Sequence, residues 1–225
     1  MIEKNLIWIL SLILIGLFSV IYIVSGIVSF KKNTGENYSF FKHFPHELSF
    51  KDDSNRKLYL AILTVNACMC ALILINAFPF IYNFKSFSGF LFVEFLFAAI
   101  SSISFVVMNL IEAKFIKQHT IIATLYMVST FAMLAITDAY CFLLYSMDKN
   151  TFHVTIGILS SFLTLIEILT IINPKLKDWA KLESTKNDSG EIEYKRPRFF
   201  PLAYSEWITF VISTLGLILF LIALI

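Results

Sequence analysis

The chain has 225 residues, of which 58% are hydrophobic and only 15% charged, with a net charge of +2 and a mean hydropathy of +0.77. Soluble domains average about 45–50% apolar and about 25% charged. Here the excess is gathered in long runs, which excludes an ordinary soluble domain and points to the bilayer. The near-neutral total suggests no nucleic-acid partner. Phe occurs 24 times, much of it inside the apolar runs, as bulk hydrophobe for lipid-facing helices. Cys68, Cys70 and Cys141 all lie in apolar segments and imply no disulfide framework. Cys68 and Cys70 would point about 200° apart on a helix, so they cannot chelate one ion together.

The expected fold is all-α. It is a polytopic membrane protein, a six-transmembrane-helix bundle with short interfacial helices in its cytoplasmic loops, forming one domain over residues 1–225. The first span covers about residues 6–30. It is too long for a signal-peptide core and ends on Phe30-Lys31-Lys32, a stop-transfer pattern, so it is expected to be retained. Residues 31–57 follow as a polar loop with Tyr38, Phe40, Phe41, Phe44 and Phe50 around Pro45. Such rings are expected at headgroup level, with the charges in water.

The second span, about 58–84, is preceded by the cap-type residues Asp53 and Ser54 and contains Asn66, Asn76 and Pro79. The third runs about 89–111, and a compact charged turn over 112–119 leads to the fourth, about 120–147. Asp148-Lys149-Asn150 is a tight turn into the fifth, about 151–172. Asn173-Pro174 is an N-cap with proline at N1, opening a short amphipathic surface helix with Leu176, Trp179 and Ala180 on one face. Asn187 to Gly190 is a turn signal, Lys195-Arg196-Pro197-Arg198 a basic run, and the sixth span covers about 202–225.

Charge asymmetry orients the chain. The segments 31–57, 112–119 and 173–201 carry six, two and seven Lys+Arg, against only Lys4, Lys85 and Lys149 on the other side. By the positive-inside rule, that 15-to-3 split predicts a multi-pass protein of the plasma membrane with both termini outside and loops 31–57 and 173–201 in the cytoplasm.

Ionisable groups inside apolar runs are costly and mark candidate sites. Glu94 in the third span and Asp138 in the fourth lie in the outer half on this orientation, and Asn76 and His153 lie in the outer parts of the second and fifth. Together they suit one outward polar cavity for a cation or a proton relay. The bland alternative has each acid protonated and bonded locally, for instance Asp138 near Thr137, or Glu94 reaching the interface. A second, inner group comprises Asn109, Glu112, Glu167 and Glu206, of which Glu167 is the deeply placed one. Glu112 and Glu206 stand at helix ends, where solvated acids are ordinary, and Glu206 there also favours the helix dipole. Ser101, Ser102 and Ser104, with Ala98/Ser102 and Ala135/Ala139 at small-xxx-small spacing, fit close helix packing.

His43 and His46, followed by Glu47, invite a metal reading, but Pro45 between them spoils a helical pair, and an interfacial anchor is the expectation. No metal site or cofactor is expected. No HExxH, phosphate loop or serine–histidine arrangement appears, which leans against an enzyme. Lys195, Arg196 and Arg198, with Trp179, are expected at anionic lipid headgroups, each basic group contributing about 1 kcal/mol. The partners expected are the bilayer, its anionic headgroups, and a second copy or another membrane protein.

Two functions follow. The first is a small transporter or permease-type subunit for an ion or small solute, working through Glu94, Asp138 and Glu167. The alternative is a non-catalytic accessory, assembly or immunity-type protein that binds another membrane protein.

Overall fold

Within lipid a chain segment must satisfy its own backbone hydrogen bonds, so each long apolar run is driven into a helix. The computed structural model describes residues 2–49, 64–65, 68, 71, 88–111, 115–174, 176, 183–186, 192–195 and 197–223. Its long helices are α1 (Ile2–Thr34), α2 (Ser88–Leu110), α3 (Ile116–Asp148), α4 (Thr151–Ile171) and α5 (Pro201–Ala223). All five are long and apolar enough to cross a membrane. They correspond to the first, third, fourth, fifth and sixth expected spans, with α1 and α3 longer at both ends. The expected second span, 58–84, lies outside the described residues except for Thr64, Val65, Cys68 and Ala71, which are helical.

The helices are inside-out relative to a soluble bundle. On α4 the buried residues are Ile156, Gly157, Ser160, Thr164, Glu167 and Thr170. Its exposed face carries Ile158, Leu159, Phe162, Leu165 and Leu169. A helix that hides its hydroxyls and shows its largest apolar side chains is soluble only in lipid, where small and polar residues are what hold helices together. On α2, Leu91, Glu94, Phe95, Ala98, Ser101, Phe105 and Met108 are buried at helical spacing, while Phe90, Phe92, Leu96 and Ile103 face outward.

α3 and α4 form a tight antiparallel hairpin. Lys149 adopts the left-handed conformation (φ 57°) and its N–H caps Tyr145. Asp148 accepts from the Asn150 N–H, and the Asn150 side chain accepts from Phe152, starting α4. This is the turn that the Asp-Lys-Asn triplet predicts.

α5 is the most buried helix. In its most apolar stretch 61% of residues are buried, against 28% in α1 and α4. It supplies Trp207, Phe210, Ile212, Leu217, Phe220 and Leu221 to the apolar clusters that join α1, α2 and α3. At Gly216 the contact with α3 is close: a Cβ there would lie 2.5 Å from Leu134 Cδ2.

The loop after α1 departs from expectation. Of its rings, Phe44 is buried and Tyr38 half-buried, whereas Phe40 and Phe41 are exposed and Phe50 lies outside the described residues. Residues 38–49 fold back into the bundle and end in a short 3-10 helix, Pro45–Ser49. Phe44 and Leu48 are buried, and Leu48 presses on Gly26 of α1 so closely that a Cβ there would meet Leu48 Cβ at 2.6 Å. The segment carries backbone polar groups into a partly dry place, and side chains satisfy them. Tyr38 donates to the Phe44 carbonyl at 2.8 Å, Trp207 Nε1 to Tyr38 Oη at 2.8 Å, and the Phe44 N–H to Glu47 at 2.8 Å. The Tyr22 hydroxyl lies 2.7 Å from the Pro45 carbonyl. Burial first, and the nearby Tyr22 second, push the Tyr38 phenol far above its usual range, so it stays a neutral donor.

A second departure is a two-stranded antiparallel ribbon in the loop before α5. β1 (Glu183–Lys186) pairs with β2 (Ile192–Lys195) in the register Glu183↔Lys195 to Lys186↔Ile192. The turn signal at 187–190 falls between the two strands in sequence, outside the described residues, and the fold is not purely helical. Of the expected surface helix, only Pro174 and Leu176 fall among the described residues, and Trp179 lies outside them.

Candidate functional site: a column of buried acids and hydroxyls

The buried faces of α2 to α5 bring polar groups together in stations along the bundle. On α3, His119, Tyr126, Thr130, Thr137 and the half-buried Asp138 share the inner side. At about 1.5 Å per residue, His119 to Asp138 covers roughly 28 Å of helix axis. A hydrocarbon core is about 30 Å thick.

At the loop-bearing end, His119 Nε2 meets Glu206 Oε1 of α5 at 2.9 Å. Glu206 is fully buried, so it is not the solvated helix-end acid expected from its position. The Phe44 ring stands edge-on to His119, with centroids 5.4 Å apart, so the inserted loop covers this pair.

Deeper in, Glu167 of α4 is fully buried and accepts a 2.8 Å hydrogen bond from Thr209 of α5. Beside it the Tyr126 hydroxyl bonds Ser213 at 2.7 Å. Toward the α3–α4 hairpin, Glu94 of α2 is 1% exposed and accepts from Thr137 of α3 at 2.8 Å. Asp138 turns to the other side of α3 and accepts from Thr164 of α4 at 2.9 Å. Glu94 and Asp138 thus take different partners, yet lie within electrostatic reach of each other, with the buried Cys141 close to both. Ser101 and Thr130 bond across α2 and α3 at 2.8 Å, which gives the serine stretch a specific contact as well as small size.

A common pattern runs through these stations. In Glu94, Glu167 and Glu206 one carboxylate oxygen is bonded by a neighbouring helix, and the other, Oε2, is buried with no hydrogen-bond partner among the described residues. A buried carboxyl left half-satisfied is expensive. It is the kind of group expected where charge or protons are handled.

The other sequence candidates separate. His153 is only partly buried at the hairpin end, with Nδ1 2.9 Å from Asp148 Oδ2, and it does not join Glu94 or Asp138. Asn76 lies outside the described residues. Asn109 is buried; its Nδ2 donates to the Phe105 carbonyl at 2.8 Å, and its Oδ1 lies 3.0 Å from the Tyr22 hydroxyl, which ties α2 to α1. His43 is buried too, and its Nδ1 accepts the Ser39 N–H at 3.0 Å within the inserted loop. Among the described residues no group of three or more His, Cys, Asp or Glu could hold a metal ion. Lys195 belongs to β2 and Arg198 is exposed, while Arg196 lies outside the described residues.

The sequence reading passed over His119, Tyr126, Thr164, Thr209 and Ser213. A signal for them was available: Ser160/Thr164/Glu167 and Glu206/Thr209/Ser213 stand at three- and four-residue steps, one helix face each, inside otherwise apolar runs.

Five such helices with buried polar faces and apolar exteriors define a multi-pass membrane protein. In comparisons with known proteins the chain matches no family model, no curated protein and no solved structure.

Proposed function

We propose that the chain is a small transporter or permease-type subunit that passes a proton or small cation along the α2–α5 column. The observation that carries this is the series of three buried glutamates, each anchored by one oxygen and open at the other, with hydroxyls between them. A structural bundle needs polar glue, but glue is most stable when every polar atom is paired. Leaving Oε2 open at three depths costs stability without improving packing. It does provide sites where a cation or proton exchanges one partner for the next.

On this reading Glu167 and Glu94 exchange the ion, and Asp138 with Thr164 serves the hairpin side. His119–Glu206 lies at the end covered by Phe44. The positive-inside rule assigns that covered end to the cytoplasm. The test is flux. Purified protein in liposomes should move protons or alkali cations down an imposed gradient, and Glu94→Gln, Asp138→Asn and Glu167→Gln should each cut the rate by at least tenfold. Absence of flux from folded wild-type protein, with all three variants indistinguishable from it, sinks the proposal.

The accessory-protein alternative has one observation in its favour. The β1–β2 ribbon is two strands alone among the described residues, and such ribbons are marginal without further pairing. If charge swaps in the 183–195 ribbon abolish a cellular phenotype that the three acid variants leave intact, that reading replaces transport.

A further inference from the structure

At the Glu167 station the Thr209 hydroxyl donates to Glu167 Oε1 at 2.8 Å. The Ser213 hydroxyl lies 3.1 Å from the Phe210 carbonyl and 2.7 Å from Tyr126 Oη, and either member of that last pair can be the donor. Neither hydroxyl bonds Glu167 Oε2, which has no hydrogen-bond partner among the described residues. Lone pairs on Tyr126 Oη, Ser213 Oγ, Thr209 Oγ1 and Glu167 Oε2 remain to face a ligand.

A buried carboxylate with an open oxygen repels an anion, and the carboxylate itself is in difficulty in either protonation state. Ionised, Glu167 is a fully buried charge with Oε2 unpartnered among the described residues. Protonated on Oε2, it has no acceptor among them for its proton. A cation resolves both problems. Thr209 and Ser213 are four residues apart on α5 and so share a face, and Tyr126 lies within electrostatic reach of Glu167.

The chemistry narrows the ion further. Every donor is oxygen, which suits a hard cation and not a soft one. Only one carboxylate is present, and the next on α5, Glu206, already has His119. One monovalent ion therefore makes the site neutral, whereas a divalent ion would leave a net buried charge.

We propose that Glu167, Thr209, Tyr126 and Ser213 form a binding site for a small hard monovalent cation of the sodium or lithium kind, held between α3, α4 and α5. The proposal builds on the transport reading and names the ion that moves. The same carboxylate takes a proton when the ion leaves, so sodium and protons compete for it.

The experiment is thermal unfolding of the full chain, purified in detergent at fixed pH, as choline chloride is replaced by sodium, lithium or potassium chloride at constant ionic strength. Sodium or lithium should raise the midpoint saturably by several degrees over choline, because a ligand bound only by the folded state stabilises it. Lowering the pH should raise the sodium concentration needed. Glu167→Gln should abolish the response. If that variant does not fold, Tyr126→Phe and Ser213→Ala, which keep the shape of the site, should each raise the half-saturating sodium concentration about tenfold. The lipid-facing Phe162→Leu should leave it unchanged. No shift over choline in the wild type, or the same shift in Glu167→Gln or in both milder variants, overturns the site. Proton-driven flux without any sodium response removes this inference and keeps the transport reading. Sodium binding without flux of any ion does the reverse.

Discussion

A buried threonine is the smallest unit on which this protein depends. Thr209 and Thr137 each hold one oxygen of a carboxylate that has no other partner among the described residues. Replacing Thr209 by valine keeps the volume and removes the donor. A donor lost to a buried carboxylate costs about 1–3 kcal/mol. Thr209→Val should therefore lower the unfolding midpoint clearly in choline, and it should also shrink the gain that sodium adds, because Thr209 is one of the oxygens that hold the proposed ion. Trp207 makes a similar case at the covered end. Its Nε1 lies 2.8 Å from Tyr38 Oη and 3.1 Å from the His43 carbonyl. Trp207→Phe keeps an aromatic ring but strips that donor, with an expected loss of about 1–3 kcal/mol read as a lower unfolding midpoint. Neither role was visible in the sequence. Tyr38 and Trp207 are 169 residues apart, and Glu94 and Thr137 are 43 apart. Periodicity says which face a residue is on but not which face it meets.

At the scale of elements, the inserted segment before and through Pro45–Ser49 is the least anticipated part of the fold. The sequence reads it as a polar loop between spans with its rings at headgroup level, and Phe44 and Leu48 depart from that by being buried. The depth was not legible, because Phe44 and Leu48 look the same on paper whether they face headgroups or helices. Gly26 is the clue in retrospect: it leaves room for Leu48. Gly26→Ala should displace the 3-10 helix, because the obstructing atom is Leu48 Cβ, near the backbone and unable to swing away. Overpacking of this kind costs about 1–3 kcal/mol. Hydrogen exchange over residues 39–49 should accelerate while α3 and α4 stay protected. Gly216→Ala should be milder, since Leu134 Cδ2 is the free end of a flexible side chain. An equal or reversed order of the two would show that the loop does not rest on α1 as described. The five long helices of the described residues were readable because an apolar run of twenty residues has few alternatives in lipid. The ribbon was not, since four-residue strands of mixed charge such as Glu-Ser-Thr-Lys carry almost no pattern.

At the scale of the molecule, orientation is the prediction with the widest reach. It rests on the distribution of 18 Lys and Arg and on no side-chain contact. In intact cells a membrane-impermeant maleimide should label Lys149→Cys, at the exposed α3–α4 turn, from outside. Glu183→Cys, exposed in β1, should react only after the membrane is permeabilised. The opposite pattern would invert the direction assigned to the column. Part of the molecular reading is legible in the sequence: Glu94, Asp138 and Glu167 stand as acids inside apolar runs. The division of those acids into stations is not, because Glu94 and Asp138 sit at similar depth and only the fold pairs Glu94 of α2 with α3 and Asp138 of α3 with α4.

The burial of α5 bears on how the protein is made. Helices enter the membrane in chain order, and earlier ones arrive before their later partners exist. Tyr126 must wait for Ser213, Glu167 for Thr209 and His119 for Glu206. Until α5 arrives, Tyr126, Glu167 and His119 lack these α5 partners. The intermediate is a membrane-inserted bundle with an open acidic seam, the sort of surface that an insertase shelters and a membrane protease recognises. A chain halted after residue 200 should therefore stay associated with the insertion machinery or be degraded, and supplying 201–225 as a separate segment should rescue it.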